Sequence, residues 1–133
     1  MKLSRCLNQF FVQYLPHIKG SRQTTICAYR DTYRLFLPFA ADYHHIKIAS
    51  LRIEHLTVEL ILSFLNHLEQ NRKNTARTRN LRLVAIKSLA KMMRFMHPQY
   101  RKLAEQILAI PQKRMQKKLI GYLYPEEIME VFK

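Results

Sequence analysis

The longest regular hydrophobic pattern in the chain runs from residue 74 to residue 96 and predicts one long helix. No glycine or proline interrupts it, Thr75 or Asn74 can accept hydrogen bonds from the first-turn amides, and Pro98 follows its end. At about 100° per residue, one face carries five apolar residues with three more beside them, and we predict that this face packs in a core. The five are Leu81, Ala85, Leu89, Met92 and Met96, and the three are Val84, Ser88 and Phe95.

Polar and basic residues occupy the rest of this helix. Positive charges at the amino-terminal end of a helix oppose its macrodipole, each by a few tenths of a kcal/mol. An external polyanion would explain them, and an ordinary solvated helix face is the alternative. Four residues are predicted to face away from the core, Asn80, Lys87, Lys91 and Arg94, and three crowd the amino-terminal end, Arg77, Arg79 and Arg82.

Apolar residues at helical spacing predict four further helices, over residues 4–18, 24–40, 57–68 and 99–108. Ser4 is predicted to cap the first, either Thr24 or Thr25 the second, and Thr57 the third. Residues 46–56 have looser spacing and are predicted to be a connection.

Two residues are predicted to change the direction of the chain, and two tyrosines are predicted to pack in the core. Pro16 is predicted to end or bend the first helix, and Gly20 to adopt a positive φ in the following turn. Tyr29 and Tyr33 lie on the apolar face of the second helix, where we predict core packing with their hydroxyls near its rim.

The carboxy-terminal part of the chain has a different pattern. Four basic residues, Lys113, Arg114, Lys117 and Lys118, indicate a charged linker after Pro111. Residues 119–133 then form an apolar stripe too short to hold a helix alone. We predict either a mobile tail or a tail that docks on a neighbouring copy. The pattern therefore separates a helical domain at 1–111 from a basic linker and a short amphipathic end at 112–133.

No strand pattern and no repeat competes with this interpretation, so the predicted fold is all-α, a small bundle of four to five helices. The 133 residues fit one domain, and 48% hydrophobic residues suffice for its core. The longest apolar run, residues 35–41, is far too short to span a bilayer. No secretion signal is recognisable, so we expect a soluble cytoplasmic protein with no membrane partner, in which Cys6 and Cys27 stay reduced.

Charge changes this picture most. Lysine and arginine number 23 against 9 acids, which gives a formal charge of +14 and a pI near 10.2. Such an excess suits a polyanionic partner, nucleic acid above all. Two basic stretches, 22–33 and 72–91, begin the second and fourth helices, and Asp31 is their only acid. If those helices pack side by side, their ends form one positive surface able to contact a DNA duplex.

The sequence contains no recognisable active site. Six histidines are present, but none has a Cys, Asp, Glu or His partner at the spacing that would build a metal or acid–base site. There is no glycine-rich phosphate loop and no nucleophile motif. We therefore expect no metal, no cofactor and no catalytic residue in these 133 residues.

An ordered set of motifs resembles a known family. The set contains Thr25-x-x-x-Tyr29 with Phe36, a helix opened by Thr57 and ending Phe64-Leu65-x-x-Leu68, the run from Thr78 to Leu89, His97-Pro98, and Ile110-Pro111-x-Lys113-Arg114. In this order the motifs resemble the amino-terminal core-binding domain of tyrosine recombinases and phage-type integrases, over nearly the whole chain. The run from Thr78 to Leu89 with the later linker is its most specific part.

The resemblance implies a SAM-like bundle that clamps one face of a recombination site on double-stranded DNA, beside other recombinase protomers. It also implies that residues 112–133 are a basic linker and the first residues of a separate catalytic domain, without which this chain is inert. The alternative is a stand-alone basic module that binds RNA or docks on a partner. Among the candidate DNA contacts, Arg79, Asn80 and Arg82 are expected to outweigh the linker pair. The candidates are Arg22, Thr24, Thr25, Arg30, Arg77, Arg79, Asn80, Arg82, Lys87, Lys113 and Arg114.

Overall fold

The computed structural model describes residues 1–114, and within them the chain is helical with no strand beyond a single antiparallel bridge between Lys2 and Arg52. The predicted all-α bundle is confirmed. The predictions for the linker beyond Arg114 and for the apolar stripe lie outside the described residues. The helices are α1 (Leu3–Gln9), α2 (Gln23–His44), α3 (Val58–Gln70), α4 (Ala76–Met96) and α5 (Arg101–Leu108).

The first helix is longer and wider than its sequence suggests. It begins at Leu3, which is buried, so the prediction that Ser4 caps it is wrong. After Gln9 it continues as a π-helix over Phe10–Ile18, and Pro16 lies inside this wider segment rather than ending it. The chain then turns at Gly20, where the predicted positive φ is confirmed at 68°.

The remaining helix starts divide into two kinds. Thr57 accepts a hydrogen bond from the Leu60 amide, and Thr75 accepts one from the Thr78 amide, so both predicted caps are confirmed. In contrast, α2 begins at Gln23 with no side-chain cap. Thr24 and Thr25 lie inside its first turn, so the prediction that one of them is the cap is wrong.

Aromatic rings join the first three helices in the core. Phe10 of the π-helical segment contacts Tyr33 of α2 at a centroid distance of 6.1 Å, and Tyr33 contacts Phe36 at 6.2 Å. Phe36 in turn meets Phe64 of α3 at 5.0 Å, with the rings nearly perpendicular. Edge-to-face contacts of this kind add to the area these side chains bury. Cys6 is buried in the same core, which raises the pKa of its thiol to about 11, whereas Cys27 is exposed.

The buried face of α4 is rotated from the predicted one. Leu81 and Phe95, assigned to the core, are 59% and 68% exposed. Asn80, assigned to the outer side, is buried. Of the predicted face, Ala85, Ser88, Leu89 and Met92 are buried, but so are Leu83, Ile86, Ala90 and Met93 on the neighbouring sector. Because 100° separates successive residues, the centre of the whole buried set is turned by roughly 60° from the centre of the predicted face.

The connection between α2 and α3 is ordered by its own apolar residues. It contains two short 3₁₀ turns, Ile48–Ser50 and Ile53–His55, and buries Leu51, Ile53 and Leu56. The Leu3 amide donates to the Leu51 carbonyl at 2.9 Å, which ties the connection to the start of α1. None of the helices in residues 1–114 is long and apolar enough to cross a membrane.

Tyr33 links α2 to α4 through a buried hydrogen bond. Its hydroxyl donates to the Ala85 carbonyl at 3.0 Å, so the prediction of a hydroxyl near the rim is wrong for this residue. Burial also raises its pKa well above the usual value. Tyr33→Phe is expected to lower the free energy of unfolding by about 1 kcal/mol. Urea denaturation measures this, with Tyr43→Phe as the exposed control, and equal losses in both variants would contradict it.

Candidate nucleic-acid interface

The amino-terminal ends of α2 and α4 lie together at one end of the bundle. Arg82 of α4 donates from Nη1 to the Thr32 hydroxyl of α2 at 3.1 Å. Thr25 and Thr78, near the start of each helix, line one groove between them. The second and fourth helices therefore pack side by side, which is the condition for their basic ends to form one positive surface.

The most accessible candidates at this end are the side chains nearest the two helix starts. Arg22, Thr24 and Arg77 are exposed. Neither arginine side chain has a hydrogen bond or ion pair within residues 1–114. Arg30 is also exposed, but it lies further along α2 on the side that faces the first helix, over the Phe11 ring at 5.6 Å, which is a cation–π distance. Within the described part of the chain, no acid neutralises these three arginines.

Arg79 and Asn80 have internal partners instead. Arg79 is only 11% exposed, and its Nε lies 3.4 Å from Oε1 of Glu69 at the end of α3. Its Nη1 also donates to Oδ1 of Asn80 at 3.1 Å. The guanidinium therefore has an ion pair with α3 and a hydrogen bond with its own neighbour, while Nε is buried without a hydrogen-bond partner in residues 1–114. This explains an arginine near the positive end of a helix without any external anion.

Lys113 belongs to the same cluster. Its Nζ lies 2.7 Å from Oε2 of Glu69, and its backbone N–H and carbonyl both hydrogen-bond the Asn80 side chain. Arg114, the next residue, is exposed. The beginning of the linker is therefore held against the bundle at the end where α4 begins.

Arg82 and Lys87 are half-buried. Arg82 faces α2, and its Nε is buried without a hydrogen-bond partner in the described part of the chain. Burial lowers the pKa of Lys87 below its ordinary value, and the charge of Lys91 one turn away lowers it further. Lysines one turn apart repel each other, and a bound anion would relieve that repulsion.

Two residues at this end were missed by sequence reasoning. Glu69 neutralises two of the candidate cations, although its position, the next-to-last of α3, carries no motif. Thr32 is buried within α2 and orients Arg82 while donating its own hydroxyl to the Ala28 carbonyl at 3.3 Å. Counting charges along the sequence does not reveal the Glu69–Arg79 or the Thr32–Arg82 contact, because each joins residues from two different helices.

The histidines form no metal site within the described residues, where no group of three potential metal-binding side chains occurs. The rings of His44 and His55 lie 4.7 Å apart, and Nε2 of His44 is 2.9 Å from the His55 carbonyl. His97 lies 2.6 Å from the Gln9 amide oxygen. These contacts join the α2–α3 connection and the end of α4 to their neighbours.

Comparison with known proteins agrees with this architecture. Residues 8–94 match the family model of the N-terminal SAM-like domain of phage integrase, which is more than half of the chain. This chain therefore belongs to the phage integrase family and carries its N-terminal SAM-like domain. No solved structure shows significant similarity to it.

Two relatives from Sinorhizobium fredii extend the comparison. They are named "Putative integrase/recombinase y4rC" and "Putative integrase/recombinase y4rD", and each is 35% identical to this chain over 126 residues. The aligned region covers 95% of this chain but only 38% and 45% of the relatives. The chain therefore spans less than half the length of these two proteins.

Proposed function

We propose that this chain is the DNA-binding, core-binding domain of a site-specific tyrosine recombinase, which clamps the recombination site during DNA integration or recombination. The observation that carries the proposal is the pairing of two basic helix starts at one end of a bundle of this family. Arg22 and Arg77 present positive charge there without acidic partners in the described residues. Arg30 adds a third such charge further along α2, on the side that faces the first helix. A duplex supplies the matching polyanion.

The accessible cations suit contacts to phosphates rather than to bases. Arg22 lies at the start of α2, and Arg77 lies one residue into α4. Contacts of this kind fix the position of a protein on DNA without reading its sequence. Thr24 and Thr25 can add hydroxyl contacts to the same backbone, with Lys87 further along α4 and Arg114 where the linker begins. Binding is therefore expected to tolerate many duplex sequences.

The internal contacts of Arg79 and Asn80 favour a supporting role for these two residues. Arg79 would have to leave Glu69 to reach a phosphate, and Asn80 would have to release the Lys113 backbone. Arg82 would likewise exchange its hydrogen bond to Thr32. That Arg79, Asn80 and Arg82 contribute more to DNA binding than Lys113 and Arg114 stays a prediction. We propose Arg77, in place of those three, as the main DNA contact on α4.

In this proposal, another part of the recombinase cleaves and joins the DNA. We propose that residues 1–111 bind DNA and that residues 112–133 lead toward a catalytic domain. We infer that these 133 residues lack the family's active-site residues, so the chain alone is expected neither to cleave nor to join DNA. Other protomers on the same site would be its protein partners, in the cytoplasm of a bacterium that carries the gene on its chromosome, a phage or a mobile element.

Removing two charges at the proposed interface tests the proposal. In Arg22→Ala/Arg77→Ala, affinity for a duplex in 50 mM salt is expected to fall about tenfold or more, since each phosphate left without its arginine forgoes counterion release. The matched control is Lys47→Ala/Lys102→Ala, which removes the same charge from the connection after α2 and from the first turn of α5. Fluorescence anisotropy with a labelled duplex measures both.

The outcomes separate DNA binding from general charge. Equal loss in the two double variants would show that net charge alone attracts DNA and would contradict the proposed surface. An RNA hairpin that competes better than the duplex at equal phosphate concentration would favour the alternative of an RNA-binding module. Circular dichroism on each variant checks that the helices are intact.

A further inference from the structure

Glu69 is the meeting point of two cations that are distant in sequence. One carboxylate oxygen lies 3.4 Å from Arg79 Nε and the other lies 2.7 Å from Lys113 Nζ. Glu69 is itself only 19% exposed, so these pairs are less screened than an ion pair on the open surface. The Arg79 side is nearly closed to solvent, whereas the Lys113 side is open, with that side chain 53% exposed.

Asn80 binds the backbone of the same lysine from the other side. Its Oδ1 accepts from the Lys113 N–H at 2.8 Å, and its Nδ2 donates to the Lys113 carbonyl at 2.7 Å. A side-chain amide that hydrogen-bonds both the backbone N–H and the backbone carbonyl of one residue makes the same pair of contacts as a neighbouring β-strand. The pair lies 33 positions apart in sequence, and Asn80 is only 7% exposed. Releasing it would leave the buried amide nitrogen of Asn80 without a partner in residues 1–114, which is costly, although Oδ1 would keep its hydrogen bond from Arg79.

We propose that Glu69, Arg79 and Asn80 form a latch that holds the chain at Lys113 on the bundle and fixes the point from which the following residues depart. In this role Asn80 is the positioning residue, Arg79 orients its amide oxygen, and Glu69 secures the lysine side chain. The latch lies where α3 ends and α4 begins, so the chain leaves from the same end as Arg77.

The residues before Lys113 explain why a separate latch is needed. Ile110 is buried in the core, whereas Pro111 and Gln112 are exposed. The core therefore holds the chain as far as Ile110, and the latch holds it again at Lys113. This moves the point at which the chain is fixed to the bundle three residues along the sequence.

Amide hydrogen exchange measured by NMR tests the latch without any DNA, so its failure is distinct from failure of the proposed function. In Asn80→Ala, exchange at the Lys113 amide is expected to accelerate about tenfold, the effect of losing one net hydrogen bond. Amides in the interior of α4, such as Leu89 and Met93, are expected to keep their protection. The matched control is Asn66→Ala, an exposed asparagine on α3.

Limited trypsin digestion provides a second readout. Cleavage after Lys113 and Arg114 is expected to be faster in Asn80→Ala than in the parent and in Asn66→Ala. A Lys113 amide that exchanges at the parental rate in a folded Asn80→Ala variant would overturn the proposal.

A second variant keeps the test decisive if Asn80→Ala does not fold. Glu69→Gln removes the charge that holds Lys113 and Arg79 but leaves Asn80 in place, and Glu59→Gln on the same helix is its control. The latch predicts faster exchange at Lys113 and faster cleavage in Glu69→Gln alone. Parental behaviour of Glu69→Gln would then overturn it.

Discussion

Replacing Phe64 with alanine is expected to lower the free energy of unfolding by about 3–5 kcal/mol, the usual cost of truncating a fully buried phenylalanine. Phe64 is 1% exposed, and its ring contacts Phe36 at 5.0 Å and Phe39 at 5.6 Å. Both partners are on α2, so the variant removes the main aromatic contact between α2 and α3. A loss of this size is a large fraction of the stability of an ordinary domain.

Phe95→Ala is the matched control, because it deletes the same atoms from a side chain that is 68% exposed. Its expected effect is within about 0.5 kcal/mol of the parent. Urea denaturation followed by circular dichroism measures both variants. If Phe95→Ala were as destabilising as Phe64→Ala, the face of α4 placed in the core by sequence reasoning would be the correct one, and the rotated arrangement of α4 would be wrong.

Local features of the fold were predictable where one residue decides the outcome. Thr57 and Thr75 each precede a clean helical pattern, and each caps the helix that follows. Gly20 adopts the positive φ expected of it. The capping prediction for α2 was wrong. Thr24 and Thr25 are equally good capping residues, but the helix begins before both of them, and no side chain caps it there.

The rotation of α4 could not be read from its own residues. Its apolar residues cover more than half of the helix surface, so several faces have a similar hydrophobic character. Leu81 lies near the end of the bundle, beside an open groove between α2 and α4, and Phe95 lies on the exposed side of the last turn of α4. Asn80 is buried and hydrogen-bonds the chain where it returns at Lys113, a contact that helical periodicity does not encode.

The candidate interface was predicted at the level of the helix ends but not of individual side chains. Charge and helix starts indicated where positive residues gather. They did not indicate that Glu69 would neutralise Arg79 and Lys113, or that Thr32 would receive Arg82. Long side chains choose between an external anion and an internal partner according to tertiary contacts, which neighbours in sequence do not determine.

The strongest expected response of the proposed complex is to salt. If four to six phosphates are neutralised, the logarithm of the binding constant falls with the logarithm of salt at a slope of about −4 to −5, so affinity drops roughly 10²- to 10³-fold between 50 and 200 mM. Arg22, Arg30 and Arg77 would supply part of that number, and the half-buried Lys87 with Arg114 at the linker would supply the rest.

A titration of labelled duplex at four salt concentrations measures this slope, with circular dichroism at each concentration to show that the helices are unchanged. Arg22→Ala/Arg77→Ala is expected to reduce the slope by about two, one for each phosphate that is no longer neutralised, whereas Lys47→Ala/Lys102→Ala leaves it at the parental value. The slope is a sharper measure than affinity, because a variant that merely loosens the bundle weakens binding without changing the number of ions released. Binding that is equally tight at 50 and 200 mM salt would exclude phosphate contacts as its basis and would leave the paired basic ends of α2 and α4 without a DNA-binding role.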